Sequence, residues 1–371
     1  MRNMTNASTL KKPVYTKDPE NDFFQRLRQI VNDQIETGTD RIYLLTGIKV
    51  IGLFLAFFAF YTLIFAKGSS IGWLFAAYIG VGITSIMLFL NVVHDAAHNA
   101  LFRNRTLNKI CVHFLEMMGT NSFIWKMRHV RLHHSYPNIP TWDCDVEQSN
   151  IAKIFPNANT FWYNRYQHLY LPVMYFMYTL NWLFVRDFRD FFNGDRIVRK
   201  AVTIPRIEYL KLFVAKIFYV AYMLALPMIV LPVAWYWVFL AFLAMHFVTS
   251  GMGLVALLST HAGEHAVWTY PEPDGRVKNT WAYHQMLSTN DFAPENKLIN
   301  FTYGCFNHHV AHHLFPSVSH VHYPAITRII RDFAQENNLP YRCYNVPEAI
   351  TSHFKLLRNN ALHESIFEET M

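Results

Sequence analysis

The sequence predicts an all-α integral membrane protein with four transmembrane helices in two hairpins and a cytoplasmic helical cap. Two observations carry that prediction. Of the 371 residues, 52% are hydrophobic and only 16% charged, which is richer in apolar and poorer in charged residues than a soluble domain. Four apolar runs also reach the roughly 20 residues that a helix needs to cross a bilayer.

The elements follow in order. Residues 1–41 form an N-terminal segment in which Phe23, Phe24, Leu27, Ile30, Val31 and Ile35 recur at helical spacing, with Arg26, Arg28 and Asp33 between them. This predicts an amphipathic helix on the membrane surface or on the cap. The first hairpin occupies 42–93, as runs 42–66 and 71–93 joined by Lys67-Gly68-Ser69-Ser70. The second occupies 209–258, as runs 209–231 and 232–258, with Pro232 marking the turn. Between them, 94–208 is assigned to the cap, as is 259–371. The shorter apolar stretch 169–185, interrupted by Pro172 and Asn181, is read as interfacial, because a fifth crossing would put the histidine-rich segments on opposite faces.

An even number of crossings places the N-terminal segment, 94–208 and 259–371 on one face. These segments hold nearly all the Lys and Arg, so that face is expected to be cytoplasmic. The net charge of +7 and the 31 Phe, 20 Tyr and 9 Trp fit a protein that meets both lipid and headgroups better than one that binds nucleic acid. The first forty residues lack the apolar core of a signal peptide, so the first run is expected to remain as a span. Cys111, Cys144, Cys305 and Cys343 form no CxxC pair, which excludes a zinc ribbon or an iron-sulfur module and predicts reduced thiols. A buried helical core in a soluble protein is the bland alternative to the spans.

Histidine occurs 19 times. His94 and His98 stand at i and i+4 just past the second run, on one face if the helix continues. His129, His133 and His134 repeat that spacing and add an adjacent histidine. Neighbours on a helix point about 100° apart, so His133 and His134 face two different metals. The basic neighbours Lys126, Arg128 and Arg131 explain a positive patch but not this spacing. Past the fourth run, His309, His312 and His313 repeat the device. His261, a few residues beyond that run, is the best additional ligand, and His265 is its competitor.

Imidazole ligation argues against magnesium and calcium and leaves iron, zinc, copper and nickel. Zinc takes three or four protein ligands, so eight or nine histidines in doublets fit a dimetal site in the cap. An apolar substrate attacked with oxygen favours iron.

These clusters resemble those of the integral-membrane fatty acid desaturase family, whose three histidine boxes follow the same order relative to two membrane hairpins. The resemblance covers roughly residues 18–348. It is closest in Thr289-Asn-Asp-Phe-Ala-Pro-Glu-Asn and in Asn307-His-His-Val-Ala-His-His-Leu-Phe-Pro. The latter is similar to the bacterial acyl-CoA or acyl-lipid branch related to front-end, linoleoyl-CoA desaturase-like members. That branch usually has glutamine where His309 stands and glutamate where Ala311 stands, so its regiochemistry does not transfer. No HPGG signature of a fused cytochrome b5 domain occurs in the sequence.

The resemblance implies one iron held by His94, His98, His129, His134 and His312, and a second by His133, His261, His309 and His313. It also implies O2 as co-substrate, a fatty acyl-CoA or acyl-lipid substrate in the membrane, and an external electron donor. Ferredoxin, cytochrome b5 and flavodoxin-type donors are the candidates, and the basic face favours an acidic one. No catalytic side chain beyond the metal ligands is expected, because the carbon–hydrogen bonds in the middle of an alkyl tail resist any amino-acid acid or base.

Asp95, Asp143, Asp145, Glu264 and Asn307 are candidates to accept the outward N–H of ligand histidines; each also reads as a cap or surface residue. Lys126, Arg128 and Arg131 are candidates to hold phosphates or face anionic lipid. His246, inside the fourth run, is either functional or a hydrogen-bonded bundle residue. His113, His168, His284, His308, His320 and His322 lie near the clusters, and His353 and His363 read as surface residues. A hydroxylase or ketolase on the same scaffold, acting on fatty acyl, sphingolipid or carotenoid substrates, is the nearest rival. A histidine-rich metal transporter is more distant, because transporters place such groups within the spans.

Overall fold

The computed structural model describes residues 11–17, 23–35, 39–147 and 149–362; His363 lies outside them. Helix α1 (Phe23–Gln34) precedes α2 (Asp40–Lys67), which starts where the Thr39 hydroxyl accepts from the Ile42 amide. Helix α3 (Ile71–Ala97) runs on through a π turn at Phe89–Val93. Helix α4 (Arg105–Val112) is capped by Asn104. Helix α5 (Ser122–Lys126) is capped by Asn121 and continues as a π turn, Met127–His133. Then come α6 (Gln167–Tyr175), α7 (Tyr178–Asn181) and α8 (Asp187–Phe192). Helices α9 (Arg206–Val230) and α10 (Trp235–His261) form the second hairpin. Helices α11 (Trp281–Ser288), α12 (His309–Leu314), α13 (Tyr323–Glu336) and α14 (Val346–Leu362) complete the cap.

Helices α2, α3, α9 and α10 are long and apolar enough to cross a membrane. Their roles differ: the apolar windows of α3 and α10 are 61% and 44% buried, against 22% and 28% for α2 and α9. Helices α3 and α10 therefore form the centre, while α2 and α9 show side chains such as Ile48, Ile51, Phe213 and Ile217 to the outside. Such apolar exposure suits lipid and not water. Small residues let the central pair close up, as membrane helices require: a Cβ on Gly82 would lie 2.7 Å from the Thr249 hydroxyl and 2.8 Å from the Met245 carbonyl.

Both central helices run further than their hydropathy indicates. Helix α3 carries His94 without a break, and α10 ends on His261 itself, whereas the apolar runs stop at 93 and 258. The stretch 169–185 also differs from a segment lying flat at the interface. Helix α6 leaves the cap, where the Gln167 amide donates to the Leu357 carbonyl, and α7 returns beside α10 with Thr179 bonded to His246. His246 lies about four turns before His261, roughly 22 Å along the helix axis. The segment is thus a hairpin that dips beside the fourth span. Hydrogen bonds with the Thr179 and Tyr219 hydroxyls satisfy both ring nitrogens of His246 there, at 2.9 and 3.0 Å.

In the cap, α1 buries Phe23, Leu27 and Val31 in the cluster that also holds Ile326, Ile330 and Phe333 of α13, beneath α12. Two short parallel strand pairs tie loops together, Val14–Tyr15 with Arg276–Val277 and Asp291–Phe292 with Cys343–Tyr344. The cap docks on α3 through Gly304, whose φ of +57° and lack of a side chain allow the approach; a Cβ would lie 2.9 Å from both the Asn91 Cα and the Leu90 carbonyl. Gly304→Ala is expected to cost about 1–3 kcal/mol and lower the thermal midpoint in detergent. Gly72→Ala, with open space around it, should leave that midpoint unchanged.

Candidate metal centre

Helices α3, α5, α10 and α12 converge where the membrane domain meets the cap, and each brings histidines. The π turn decides how those of α5 are shared. Its widened turn, with the His134 amide donating to the His129 carbonyl five residues back at 3.1 Å, sets the His129 and His134 rings edge to face with their Nε2 atoms 3.3 Å apart. The His133 ring stays stacked on that of His129, with centroids 5.5 Å apart, while its Nε2 lies 3.1 Å from that of His261. π turns of this kind recur at functional sites.

Two groups of four result. His94, His98, His129 and His312 bring their ring nitrogens within 4.8 Å of one another, and so do His133, His261, His309 and His313; His134 groups with His312 and His313. His94 and His129 approach to 3.0 Å and His261 and His309 to 2.7 Å, both through Nε2. His265, by contrast, is exposed and outside the cluster.

Their outward nitrogens show what these imidazoles are for. His261 Nδ1 lies 2.9 Å from the Ser288 carbonyl and His309 Nδ1 3.3 Å from the Phe306 carbonyl. A carbonyl only accepts, so each ring spends its single hydrogen there, and its Nε2 carries a bare lone pair. His313 donates likewise to Gln285 Oε1 at 2.8 Å, and Gln285 is oriented by its own bond to the His134 carbonyl. His129 and His133 turn Nδ1 to Asp145 and Asp143, both at 2.9 Å.

The bare pairs of His261 and His309 face each other in a buried space, and the Nε2 atoms of His98, His312 and His313 have no partner among the described residues. Each unpaired buried polar atom costs on the order of 1–3 kcal/mol. Protons do not fill the gap: burial and neighbouring imidazoles hold His98, His134, His309, His312 and His313 well below the usual imidazole range, and burial takes His129 down to about 4. His133 goes the other way, because the Asp143 carboxylate outweighs its burial. The donor set thus fits metal cations.

Asp143 also accepts from the backbone amides of Asn138, Asp145 and Val146, which fixes its carboxylate. Asp95 is shared, 3.9 Å from His94 and 2.7 Å from His320. Two other residues expected here face elsewhere: Glu264 pairs with Lys355, and the Asn307 amide binds Asn300 and the carbonyls of Phe292 and Ala293. His353, expected at the surface, is fully buried between the Ala262 carbonyl and Tyr175. Arg128 is buried too, spent on Asp190 and the Cys144 carbonyl, and so is not free to bind phosphate. Sequence reasoning missed Gln285 and Tyr323, which bond His313 and His312, and Trp125, which stacks on His129 with ring centroids 5.1 Å apart. Trp125 precedes His129 by four residues, a spacing that signals contact on a helical turn.

Two cavities meet at this cluster. One, of about 130 Å³, begins at His94 and His129 and runs between apolar walls that include Phe89, Trp182 and Leu183 to Tyr219 and His246. The other, of about 760 Å³, is lined by His129, His133, His261 and His309 on one side and by the dipping hairpin on the other.

Known proteins resemble this chain in sequence. The fatty acid desaturase family signature matches residues 68–345. The chain is 30% identical over 354 residues to an acyl-lipid (8-3)-desaturase of Physcomitrium patens, covering 94% of this chain and 73% of that protein. It is 28% identical over 273 residues to a sn-1 linoleoyl-lipid 6-desaturase of Synechocystis sp., covering 72% and 75%, and 29% identical to the protein of the same name from Arthrospira platensis, covering 71% and 70%. With two histidine quartets at the head of an apolar cavity and a family match over most of its length, the chain belongs to the fatty acid desaturase family.

Proposed function

We propose that the centre binds two iron ions and that the protein introduces a double bond into a lipid-linked or CoA-linked acyl chain, using O2. His94, His98, His129, His134 and His312 would hold one iron, and His133, His261, His309 and His313 the other. When bound, such a pair of irons supplies the O2 activation that no side chain provides. The observation that carries the reading is the apolar cavity that starts at His94 and His129.

The protein's own part is to position. Asp143, Asp145, Ser288 and Gln285 hold the ring hydrogens outward, and Trp125 covers one face of His129. The cavity walls set which two neighbouring carbons reach the metals, because orientation selects the reacting atom. Electrons come from an external donor of the ferredoxin, cytochrome b5 or flavodoxin type. The Lys- and Arg-rich cap faces the cytoplasm and favours an acidic donor.

Expression in a host without desaturases, fed defined fatty acids and followed by mass spectrometry of double-bond position, should reveal one new unsaturated product that His312→Ala abolishes. Identical lipids from the two proteins under adequate iron and reductant would overturn the reading, and a hydroxylated product without a new double bond would replace it with hydroxylation. Asp143→Asn is expected to weaken iron binding about 10- to 100-fold in chelator competition, whereas Glu264→Gln should leave it unchanged.

A further inference from the structure

The dipping hairpin separates the metal centre from the outside of the membrane domain, and it walls both cavities. Several residues that line the larger cavity are themselves exposed: Met174, Met177, Phe184 and Val185 of the hairpin and Phe239 of α10 are 38–48% exposed. A cavity whose apolar rim is exposed beside two membrane helices opens to lipid and not to water.

The rim also carries charge. Arg186, Arg189 and Arg196 line the same cavity. Behind it, Arg128, Arg186 and Arg196 are met by Asp145, Glu147 and Asp190, three cations against three anions. Arg189 stands outside this balance, without an ion pair among the described residues. Arg186 adds a buried Nε donor that has no partner there either. An unspent cation at the polar edge of an apolar opening matches an amphiphile with an anionic head and a long tail.

We propose that the larger cavity is a lateral portal, through which the acyl tail enters from the bilayer while still esterified to a membrane phospholipid whose phosphate meets Arg189. The proposal rests on acyl-chain desaturation for the identity of the occupant and goes beyond it in naming the carrier and the route. The tail passes between the hairpin and α10 to reach His129 and His309, and the headgroup stays at the rim.

The test is photo-crosslinking in lipid nanodiscs with phosphatidylcholine that carries a diazirine in its acyl tail. It uses the full-length, iron-loaded protein and its His312→Ala variant. Labelled peptides from residues 167–186 and from α10 are expected in both proteins. Arg189→Gln should lower that labelling about fivefold, the worth of one basic charge near a lipid surface, and Arg189→Lys should keep it. Labelling of these segments by a diazirine acyl-CoA added from water, but not by the bilayer phospholipid, would overturn the portal, as would labelling indifferent to Arg189→Gln. Because crosslinking is read separately from turnover, labelled segments in the unmutated, iron-loaded and reductant-supplied protein without any new double bond would sink the desaturase reading and leave the portal standing.

Discussion

The structure turns on one constraint: imidazole rings with their hydrogens committed outward present bare nitrogens to one another in a space that excludes water. His261 and His309, 2.7 Å apart, illustrate it best, since both donate to carbonyls that cannot donate back. Lone pairs held that close repel unless a cation lies among them. Without one, the cluster is a set of unpaired polar atoms that destabilises the fold. With metal present, the same atoms join four helices, so metal binding and docking of the cap on the membrane domain become one event.

The rest of the molecule serves that geometry. The π turn of α5 carries His129, His133 and His134 into the cluster, and the carboxylates of Asp143 and Asp145 keep the His133 and His129 rings from turning. Arg128, buried behind them, ties this loop to Asp190 at the foot of the hairpin. The wall of the two cavities and the ligand-bearing turn are therefore one connected body. His246, an ionisable residue deep in a membrane helix, holds the far end of that wall through Thr179 and the end of the smaller cavity through Tyr219.

Much of this was legible in the sequence because its signals are local and repetitive. Run length revealed the four membrane helices, helical and doublet spacing revealed eight of the nine clustered histidines, and position just past the fourth run revealed His261. What escaped depended on long-range contacts. Nothing near His353 announces that Ala262 and Tyr175 bury it, and nothing near Glu264 announces Lys355. Parity argues against 169–185 as a fifth span, but only its bonds to His246 and Ser250 reveal that it dips beside α10. The π turn of α5 was hidden for another reason: α and π turns share the same residue pattern, and tertiary ligand geometry chooses between them. Gln285, 28 residues from His313 in sequence, carried no local signal at all.

Metal analysis combined with X-ray absorption, on protein reconstituted with ferrous iron under anaerobic conditions, tests the central claim most directly. Two converging histidine groups predict about two irons per protein molecule, each with nearest ligands dominated by imidazole nitrogen. A single metal per molecule, or nearest ligands dominated by sulfur or carboxylate oxygen, would contradict the account.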